Sequence, residues 1–231
     1  MRNMIIALTT TLGLAAPMAA TADQVLVELF TSQGCSSCPP ADEVLGELAK
    51  RDDVIALSLH VDYWDYLGWK DSFSQPKFTL RQQTYAAAAH STMIYTPQMM
   101  VGGVSSVVGT RAMELMDHIT AHQKAPKVVD LSLTKSGGNI AINATMIKET
   151  SNQMVVQLVR YSPSESVTIK RGENAGRTIE YHNVVTDWTV LGAWEGDTPL
   201  DVEAAVEGDN PSVVIIQDGV SGPVLAVASI D

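Results

Sequence analysis

The feature that most constrains the fold of this chain is a pair of cysteines three residues apart, placed between an apolar strand and a helix. Cys35 and Cys38 are the only cysteines among the 231 residues. Residues 25–30 (VLVELF) are an apolar run typical of a buried strand, residues 41–51 have a helical apolar pattern, and residues 54–61 form a second apolar run. The sequence therefore predicts a β-α-β unit with the CxxC sequence where the first strand gives way to the helix.

Two cysteines at this spacing point to redox chemistry or metal capture rather than to stapling. A disulfide stabilises a fold mainly by closing a long loop, and the ring between Cys35 and Cys38 is short. The free N–H groups and the dipole of a helix N-terminus stabilise a thiolate. We therefore expect Cys35 to be an exposed nucleophile that ionises readily, and Cys38 to be the shielded resolving thiol. Because Pro39 and Pro40 disfavour helical geometry in the residue before a proline, we expect the helix to begin after them.

The N-terminal residues have the pattern of an export signal. Arg2 precedes an apolar stretch over residues 4–16, and residues 20–22 (ATA) supply small side chains before a cleavage point. The apolar stretch is too short to span a bilayer, and no later segment has eighteen uninterrupted apolar residues. We expect residues 1–22 to be removed and the mature protein to be periplasmic or secreted, without stable membrane insertion. An uncleaved membrane anchor is the alternative.

Charge and motifs exclude several classes of function. Lys and Arg number 15 against 26 Asp and Glu, so the net charge is −11, and no basic run occurs. The positive surface that binds a phosphate backbone is missing, and no nucleic-acid partner is expected. Serine-hydrolase (GxSxG), zinc-protease (HExxH), c-type haem (CxxCH) and phosphate-loop motifs are missing too. The sequence therefore predicts no cofactor and no resident metal.

A proline further along the chain completes a recognisable pattern. Thr96 and Pro97 open a predicted short strand (PQMMVGG). With the β-α-β unit and the CxxC sequence, this proline makes residues 23–125 resemble a thioredoxin-like α/β domain. The resemblance implies a cis Thr96–Pro97 bond beside Cys35, with Pro97 and the backbone of Gln98 positioning a substrate strand. The stretches VELFTSQGCSSCPPAD, HVDYWDYLGWKD, YTPQMMVGG and RGENAGR…YHNVV also resemble an exported bacterial family catalogued as domain of unknown function 1223.

The predicted domain carries an insertion that a minimal thioredoxin does not need. It contains an aromatic segment over residues 63–69 (YWDYLGW) and a predicted helix over residues 76–89. The aromatic segment either forms a hydrophobic collar that binds unfolded chains or packs against the inserted helix.

Several side chains are further candidates for the site. Glu28 is either a buried carboxylate beneath the disulfide that takes a proton from Cys38, or an edge residue that faces solvent. His60 is either a core histidine with its hydrogen bonds satisfied, or a proton carrier or ligand near the dithiol. One of Met99 and Met100 is expected in the core, while the other could offer a thioether to a soft metal.

From residue 126 short strands replace the helical pattern. They are predicted at residues 127–134, 140–146, 154–161, 166–170, 178–190, 213–216 and 224–230. This pattern predicts a mostly antiparallel, β-sandwich-like domain over residues 126–231. Its loop over residues 171–177 (RGENAGR) either reaches the CxxC sequence, with Arg171 or Arg177 stabilising a thiolate, or is a charged hairpin crossing with its own ion pairs.

Taken together, these features predict an exported α+β protein with a thioredoxin-like first domain. The candidate catalytic residues are Cys35, Cys38, Pro97 and Glu28. We expect a thiol–disulfide oxidoreductase that acts on the cysteines of partner proteins, and that needs an electron donor in the membrane if it works as a reductase. Two alternatives stay open. One is a Cu(I) carrier that uses both thiolates with Met99 or His60; the other is an interaction protein whose CxxC is an inert disulfide and whose β-rich domain binds the partner.

Overall fold

The computed structural model describes residues 20–21, 24–150 and 152–231. Apart from Ala20 and Thr21, the predicted leader lies outside the described residues. The described chain is a mixed α+β structure, as predicted, with a large mixed sheet, a small antiparallel sheet and three α-helices. No helix in this part of the chain is long and apolar enough to cross a membrane.

The elements follow one another along the chain as strands and helices with these bounds: β1 (Ala20–Thr21), β2 (Val25–Thr31), α1 (Pro39–Leu48), β3 (Val54–His60), a short 3₁₀ helix (Asp65–Leu67), α2 (Pro76–Ala88), β4 (Gln98–Val101), β5 (Ser105–Val108), α3 (Ala112–Gln123), β6 (Val129–Ser136), β7 (Asn139–Met146), β8 (Met154–Thr168), β9 (Thr178–Trp194), β10 (Leu200–Ala205), β11 (Ser212–Asp218) and β12 (Val224–Ile230). Residues predicted as two strands, 154–161 and 166–170, are joined in the single strand β8, because it pairs with β9 through a register shift at Arg160 and Tyr161.

The central sheet contains eight strands in the order β12-β11-β8-β9-β3-β2-β4-β5. The predicted β-α-β unit is confirmed: β2 and β3 run parallel and in register from Val25 opposite Val54 to Thr31 opposite His60. Both strands are buried along their whole length. This burial on two faces explains why most of their residues are apolar. Charged or polar exceptions such as Glu28 and His60 are buried too and have polar partners.

Helices cover the two faces of β2 and β3. Side chains alternate along a strand, so neighbouring residues of β2 pack into different clusters. One face packs under α1 and α3 through Val27, Leu29, Ala41, Leu45, Leu115 and Ile119. The other face packs under α2 through Leu26, Phe30, Leu57, Phe78 and Tyr85, together with Val213 and Ile215 of β11. The loop between β2 and α1, which carries the CxxC sequence, therefore lies at one edge of a covered sheet.

The small sheet has the order β1-β6-β7-β10 and is antiparallel. Its alternating side chains, such as Leu131 and Ile142, pack against β8, β11 and β12. Two layers of strands are thus present in the C-terminal half, as the alternation indicated. However, β9 also pairs in parallel with β3 at Ser58 and Val184, so the central sheet runs across residue 125. The division into domains at residue 125 stays a prediction.

Candidate active site

Cys35 and Cys38 form a disulfide in the turn that connects β2 to α1. The predicted late start of the helix is wrong, because α1 begins at Pro39, directly after Cys38. Cys38 has helical backbone angles (φ −78°, ψ −36°), and its carbonyl oxygen accepts hydrogen bonds from the N–H groups of Ala41 and Asp42 at 2.8 and 3.1 Å. Proline fits the first turn since no N–H is needed there. Pro39 and Pro40 therefore remove two of the helix donors on which the predicted thiolate stabilisation relied.

Both sulfur-bearing residues are buried. The predicted shielding of Cys38 is confirmed at 0% exposure, but the predicted exposure of Cys35 is wrong, because that residue is only 1% exposed. The two residues between them, Ser36 and Ser37, face solvent. The Ser37 hydroxyl lies 3.5 Å from the Cys35 sulfur and is the polar group that approaches it. A reactant from solvent consequently meets the Ser36–Ser37 turn before it meets a sulfur atom.

Pro97 lies close to the first turn of α1. The Thr96–Pro97 bond is cis, as the resemblance implied. A Cβ built on Gly109 would lie 2.8 Å from the Ala41 Cβ and 3.0 Å from the Pro97 Cβ, so Gly109 separates the helix from the proline. The structure thus brings Pro97 to the same end of the sheet as the disulfide.

The aromatic segment contacts both the CxxC turn and the inserted helix. The Trp64 indole N–H donates a 2.8 Å hydrogen bond to the Thr96 hydroxyl, and a Cβ on Gly34 would lie 3.2 Å from the Trp64 Cβ. The Tyr63 hydroxyl donates to Gln82 of α2 at 3.2 Å. The predicted packing of this segment against the inserted helix is confirmed through Tyr63, and Trp64 lies beside the CxxC turn. Binding of unfolded chains by the segment stays a prediction.

A buried carboxyl group, Asp42, lies next to Cys38. Cys38 is the residue before α1 and has helical backbone angles, so Asp42, four residues later, follows it by about one helical turn. This spacing places Cβ atoms on one face, roughly 5–6 Å apart. Asp42 accepts a 2.9 Å hydrogen bond from the Thr31 hydroxyl. Burial raises the pKa of Asp42 from 3.8 to about 7, against the opposing effects of His60 and of the Thr31 hydrogen bond. A group with a pKa near neutrality can accept or release a proton at the pH of a cell.

His60 and Asp71 extend this buried polar cluster. His60 Nδ1 lies 2.7 Å from Asp71 Oδ2, which also accepts a 2.8 Å hydrogen bond from the Gln33 N–H. Burial alone would raise the pKa of Asp71, but the adjacent His60 and the backbone N–H groups of Gln33 and Phe73 lower it below its ordinary value. Asp71 is thus the charged carboxylate of the cluster, and Asp42 is the one that holds a proton more readily.

Several buried polar atoms of this cluster have no hydrogen-bond partner within the described part of the chain. They are Asp42 Oδ2, Ser58 Oγ, His60 Nε2 and the Tyr181 hydroxyl. The His60 and Tyr181 rings contact each other edge to face, with centroids 4.9 Å apart. Burial, with the carboxyls of Asp42 and Asp71 adding to it, raises the pKa of Tyr181, so its hydroxyl stays protonated. Buried groups left open in this way are those that ordered water satisfies in proteins.

The structure does not bring Glu28 to the disulfide. Glu28 is buried, so the alternative of a solvent-facing edge residue is wrong. It lies on the α2 face of the sheet, where Arg81 donates to it at 2.6 and 3.2 Å and the Tyr85 hydroxyl donates at 2.7 Å. Cys38 begins the helix on the opposite face. The Glu28 carboxylate is therefore paired with Arg81 between the sheet and α2, and its predicted catalytic role receives no geometric support.

The residues proposed for copper binding are explained by packing. Met99 is buried under α1 and α3, and Met100 is buried under α2. His60 Nδ1 is occupied by Asp71. Within the described residues, no group of three or more His, Cys, Asp or Glu side chains is arranged to hold a metal ion.

The loop between β8 and β9 does reach the CxxC turn, but through Asn174 rather than through an arginine. The Asn174 amide, 2% exposed, donates hydrogen bonds to the carbonyl oxygens of Gln33 at 3.0 Å and Cys35 at 2.9 Å. Arg177 donates to Asn174 Oδ1 at 3.2 Å, and Arg171 is exposed. The expectation that an arginine stabilises the thiolate directly is not supported by these contacts.

Besides Asp71 and Tyr181 of the buried polar cluster, sequence reasoning missed two residues at the CxxC turn, Asp42 and Asn174. Asp42 carried a usable signal, because a carboxylate four residues after Cys38 must share its helix face. Asn174 carried no such signal beyond its place in a glycine-flanked turn. Its partner Cys35 lies 139 residues away in sequence, and only the folded β8–β9 hairpin brings the two residues together.

The fold and the site define an α+β protein with a buried CxxC disulfide at the start of a helix, beside a cis-proline. Within that class, the chain belongs to the family described as "Protein of unknown function (DUF1223)", which matches residues 26–217. No curated protein matches the chain.

Two solved structures resemble it. A crystal structure of a protein from Agrobacterium tumefaciens is 29% identical, with a TM-score of 0.76 over 89% of this chain and 93% of that one. HBP35 of Porphyromonas gingivalis is 14% identical, with a TM-score of 0.59 over 90% of this chain and 75% of that one, a similarity of fold alone.

Proposed function

We propose that the chain is an exported, thioredoxin-like thiol–disulfide oxidoreductase that acts on the cysteines of other proteins. The observation that carries the proposal is the Cys35–Cys38 disulfide at the start of α1, with the buried carboxyl of Asp42 on the same helix face. The position of Pro97, next to the first turn of α1, supports it. Export rests on the leader over residues 1–22, which makes an oxidising compartment the place of action.

Exchange proceeds in two balanced steps. In the reducing direction, the Cys35 thiolate attacks one sulfur of a substrate disulfide, forms a mixed disulfide and releases the other substrate sulfur as a thiolate. Cys38 then loses its proton and attacks the Cys35 sulfur, which releases the second substrate thiol and leaves the Cys35–Cys38 disulfide. Two electrons pass from the protein to the substrate. Oxidation of a substrate dithiol is the same sequence in reverse.

Asp42 is the group that we assign to the Cys38 proton. Its pKa of about 7 lies below that of an ordinary thiol and near neutral pH, so it is a competent acceptor when Cys38 attacks and a competent donor in the reverse step. The unpartnered Oδ2 atom leaves one carboxylate oxygen open for that proton.

The burial of Cys35 favours a second candidate, in which the disulfide is inert and the chain is an interaction protein. Reactive cysteines are generally at least partly exposed, whereas buried ones tend to be unreactive. Exchange therefore requires the Ser36–Ser37 turn to move when substrate binds. The two candidates differ in the reduction potential of the disulfide and in whether a mixed disulfide forms.

The test is the equilibrium of the Cys35–Cys38 pair with glutathione or dithiothreitol, read by thiol trapping. A potential between roughly −120 and −270 mV is expected, the range of dithiol exchange catalysts, while a potential below about −300 mV would indicate a structural disulfide and overturn the proposal. In parallel, Cys38→Ser should accumulate a mixed disulfide with reduced and unfolded protein substrates, and Cys35→Ser should not. Ser166→Ala, at an exposed position of β8 away from the CxxC turn, is the control variant that keeps both thiols and should behave like the wild type. Activity should survive a chelator, which a Cu(I) carrier would not predict.

A further inference from the structure

The tip of the β8–β9 hairpin, residues 169–177, is a rigid element built by its own hydrogen bonds. The Ile169 N–H donates to the Arg177 carbonyl at 2.9 Å, and the Gly176 N–H donates to the Ile169 carbonyl at 2.8 Å. Ile169 is fully buried in a cluster with Tyr181. These contacts fix the position of Asn174, the residue of the hairpin tip whose side chain reaches the CxxC turn.

The hairpin tip also rests on the aromatic segment that borders the turn. Gly172 has a left-handed backbone (φ +79°), and a Cβ there would lie 3.3 Å from the Trp69 Cβ. The Trp69 indole N–H in turn donates a 2.8 Å hydrogen bond to the side chain of Gln33. Two separate parts of the chain thus grip the residues just before Cys35.

We propose that Asn174 is a positioning residue that holds the CxxC turn in its disulfide-forming conformation. Its two hydrogen bonds end on the carbonyl oxygens of Gln33 and Cys35, and the Cys35 carbonyl also accepts the 3.3 Å hydrogen bond from the Cys38 N–H that closes the turn. The structure shows these hydrogen bonds in the oxidised turn, which the disulfide also closes. In the reduced turn, where the covalent bond is gone, we expect the same contacts to keep the two thiols near each other. The value of this role to the protein rests on the proposed function, because a fixed turn keeps the two thiols in position for disulfide exchange.

The hydrogen bonds of Asn174 stabilise the oxidised protein more than the reduced protein. Without Asn174, the reduced turn can open and its carbonyls can reach water, whereas the disulfide prevents that relaxation in the oxidised state. Loss of Asn174 therefore destabilises the oxidised protein more than the reduced one. The disulfide becomes easier to reduce because the two thiols are less well placed to re-form it.

The experiment measures the equilibrium constant for forming the Cys35–Cys38 disulfide against glutathione in the mature chain. Asn174→Ala removes both hydrogen bonds and should lower this constant about three- to tenfold, because relaxation of the reduced turn offsets part of their loss in that state. Asn174→Asp keeps the size of the side chain but replaces its donor with an acceptor, so it should lower the constant at least as much. Glu173→Gln, at the exposed neighbouring position, should leave it unchanged.

Melting temperatures of the oxidised and reduced proteins separate positioning from plain stabilisation. A positioning role predicts a larger drop in the oxidised protein; equal drops with an unchanged constant would overturn it. If Asn174→Ala does not fold, Arg177→Ala removes the hydrogen bond on Asn174 Oδ1 and should shift the constant in the same direction by a smaller factor, and an unchanged constant there also overturns the role. The constant is measured without substrate, so a shifted constant in a chain that forms no mixed disulfide would sink the proposed function and keep this inference.

Discussion

At the scale of single residues, Asp42 carries a carboxyl group whose charge the surrounding fold does not balance. Because the pKa of Asp42 rises from 3.8 to about 7 on burial, the folded state binds more protons than the unfolded state between those values. The contribution of Asp42 to stability therefore falls as the pH rises from about 4 to about 7. The protein is less stable at neutral pH because of this buried carboxyl group, but the same raised pKa suits Asp42 to exchange a proton with Cys38.

Asp42→Asn should make the protein more stable and a slower catalyst. Above pH 7 the free energy of unfolding should increase by up to about 4 kcal/mol, with little gain at pH 4, because the buried charge is removed. The rate at which Cys38 resolves a mixed disulfide should fall roughly tenfold or more at neutral pH. Denaturant unfolding at several pH values and stopped-flow reduction measure the two effects. Glu43→Gln, on the exposed side of the same helix turn, removes only a minor contribution to the raised pKa of Asp42, so it should change both quantities far less than Asp42→Asn does. An Asp42→Asn protein that is less stable than the wild type at pH 8 would contradict the assignment.

The residues of the site were predictable to the extent that they are local in sequence. Cys35 and Cys38 were found from their spacing, the cis bond at Pro97 was implied by the resemblance to thioredoxins, and the structure has all three. Glu28 shows where such reasoning fails. Its burial was one of the two expectations, but it lies on the same face of β2 as Phe30, away from the disulfide. There it forms an ion pair with Arg81 of α2, 53 residues away in sequence. Partners at that separation leave no local pattern.

At the scale of elements, α1 meets β9 through a glycine. Gly46 is unfavourable in the interior of a helix, and the sequence alone presents it as a tolerated loss of stability. The structure supplies the reason: a Cβ at this position would lie 2.8 Å from His182 Nε2, within van der Waals overlap. The glycine lets the helix approach a strand that comes from the other half of the chain.

The effect of Gly46→Ala on the free energy of unfolding should consequently depend on the residue at position 182. In the wild-type background the alanine must displace the His182 ring, so the usual gain in helix propensity should be lost. In a His182→Ala background the same change should stabilise the protein by about 0.5–1 kcal/mol. Chemical denaturation of the four proteins in this double-mutant cycle measures the coupling. Additive effects within error would mean that the two elements do not press on each other at Gly46.

Element prediction succeeded where one strand or helix is explained by its own pattern and failed where pairing decides. The buried runs of β2 and β3 and the alternation of β6 were sufficient. The length of β8 was not, because residues 162–168 are held in the strand by β9 across a register shift rather than by an apolar pattern. The start of α1 was misjudged since the helical turn at Cys38 is fixed by its bonds to Ala41 and Asp42.

At the scale of the whole molecule, the two halves share a face of the central sheet. Each half has one hydrophobic cluster of its own. The first lies under α1 and α3, and the second lies between the small sheet and strands β8, β11 and β12. The cluster under α2 mixes them: Leu26, Phe30 and Leu57 pack with Val159, Val213 and Ile215. Arg81, paired with Glu28, also stacks 4.1 Å over the Trp188 ring and donates to Gln217 at 3.3 Å. A cut at residue 125 would expose this face and leave the buried ion pair open to water.

The full chain should therefore unfold in one cooperative transition, and a fragment of residues 24–125 should show none. The fragment loses the β9 partner of β3, the apolar contacts of β8 and β11, and the cover that Tyr181 gives to the polar cluster beside Asp42. Calorimetry of the full chain and thermal circular dichroism of both proteins measure this. Two separated transitions in the full chain, or a cooperative melt of the fragment, would instead establish two independent domains. In that case the contact from Asn174 to the CxxC turn would be an interface between domains, and its loss on separation would leave the Cys35–Cys38 pair with the same eased reduction expected of Asn174→Ala.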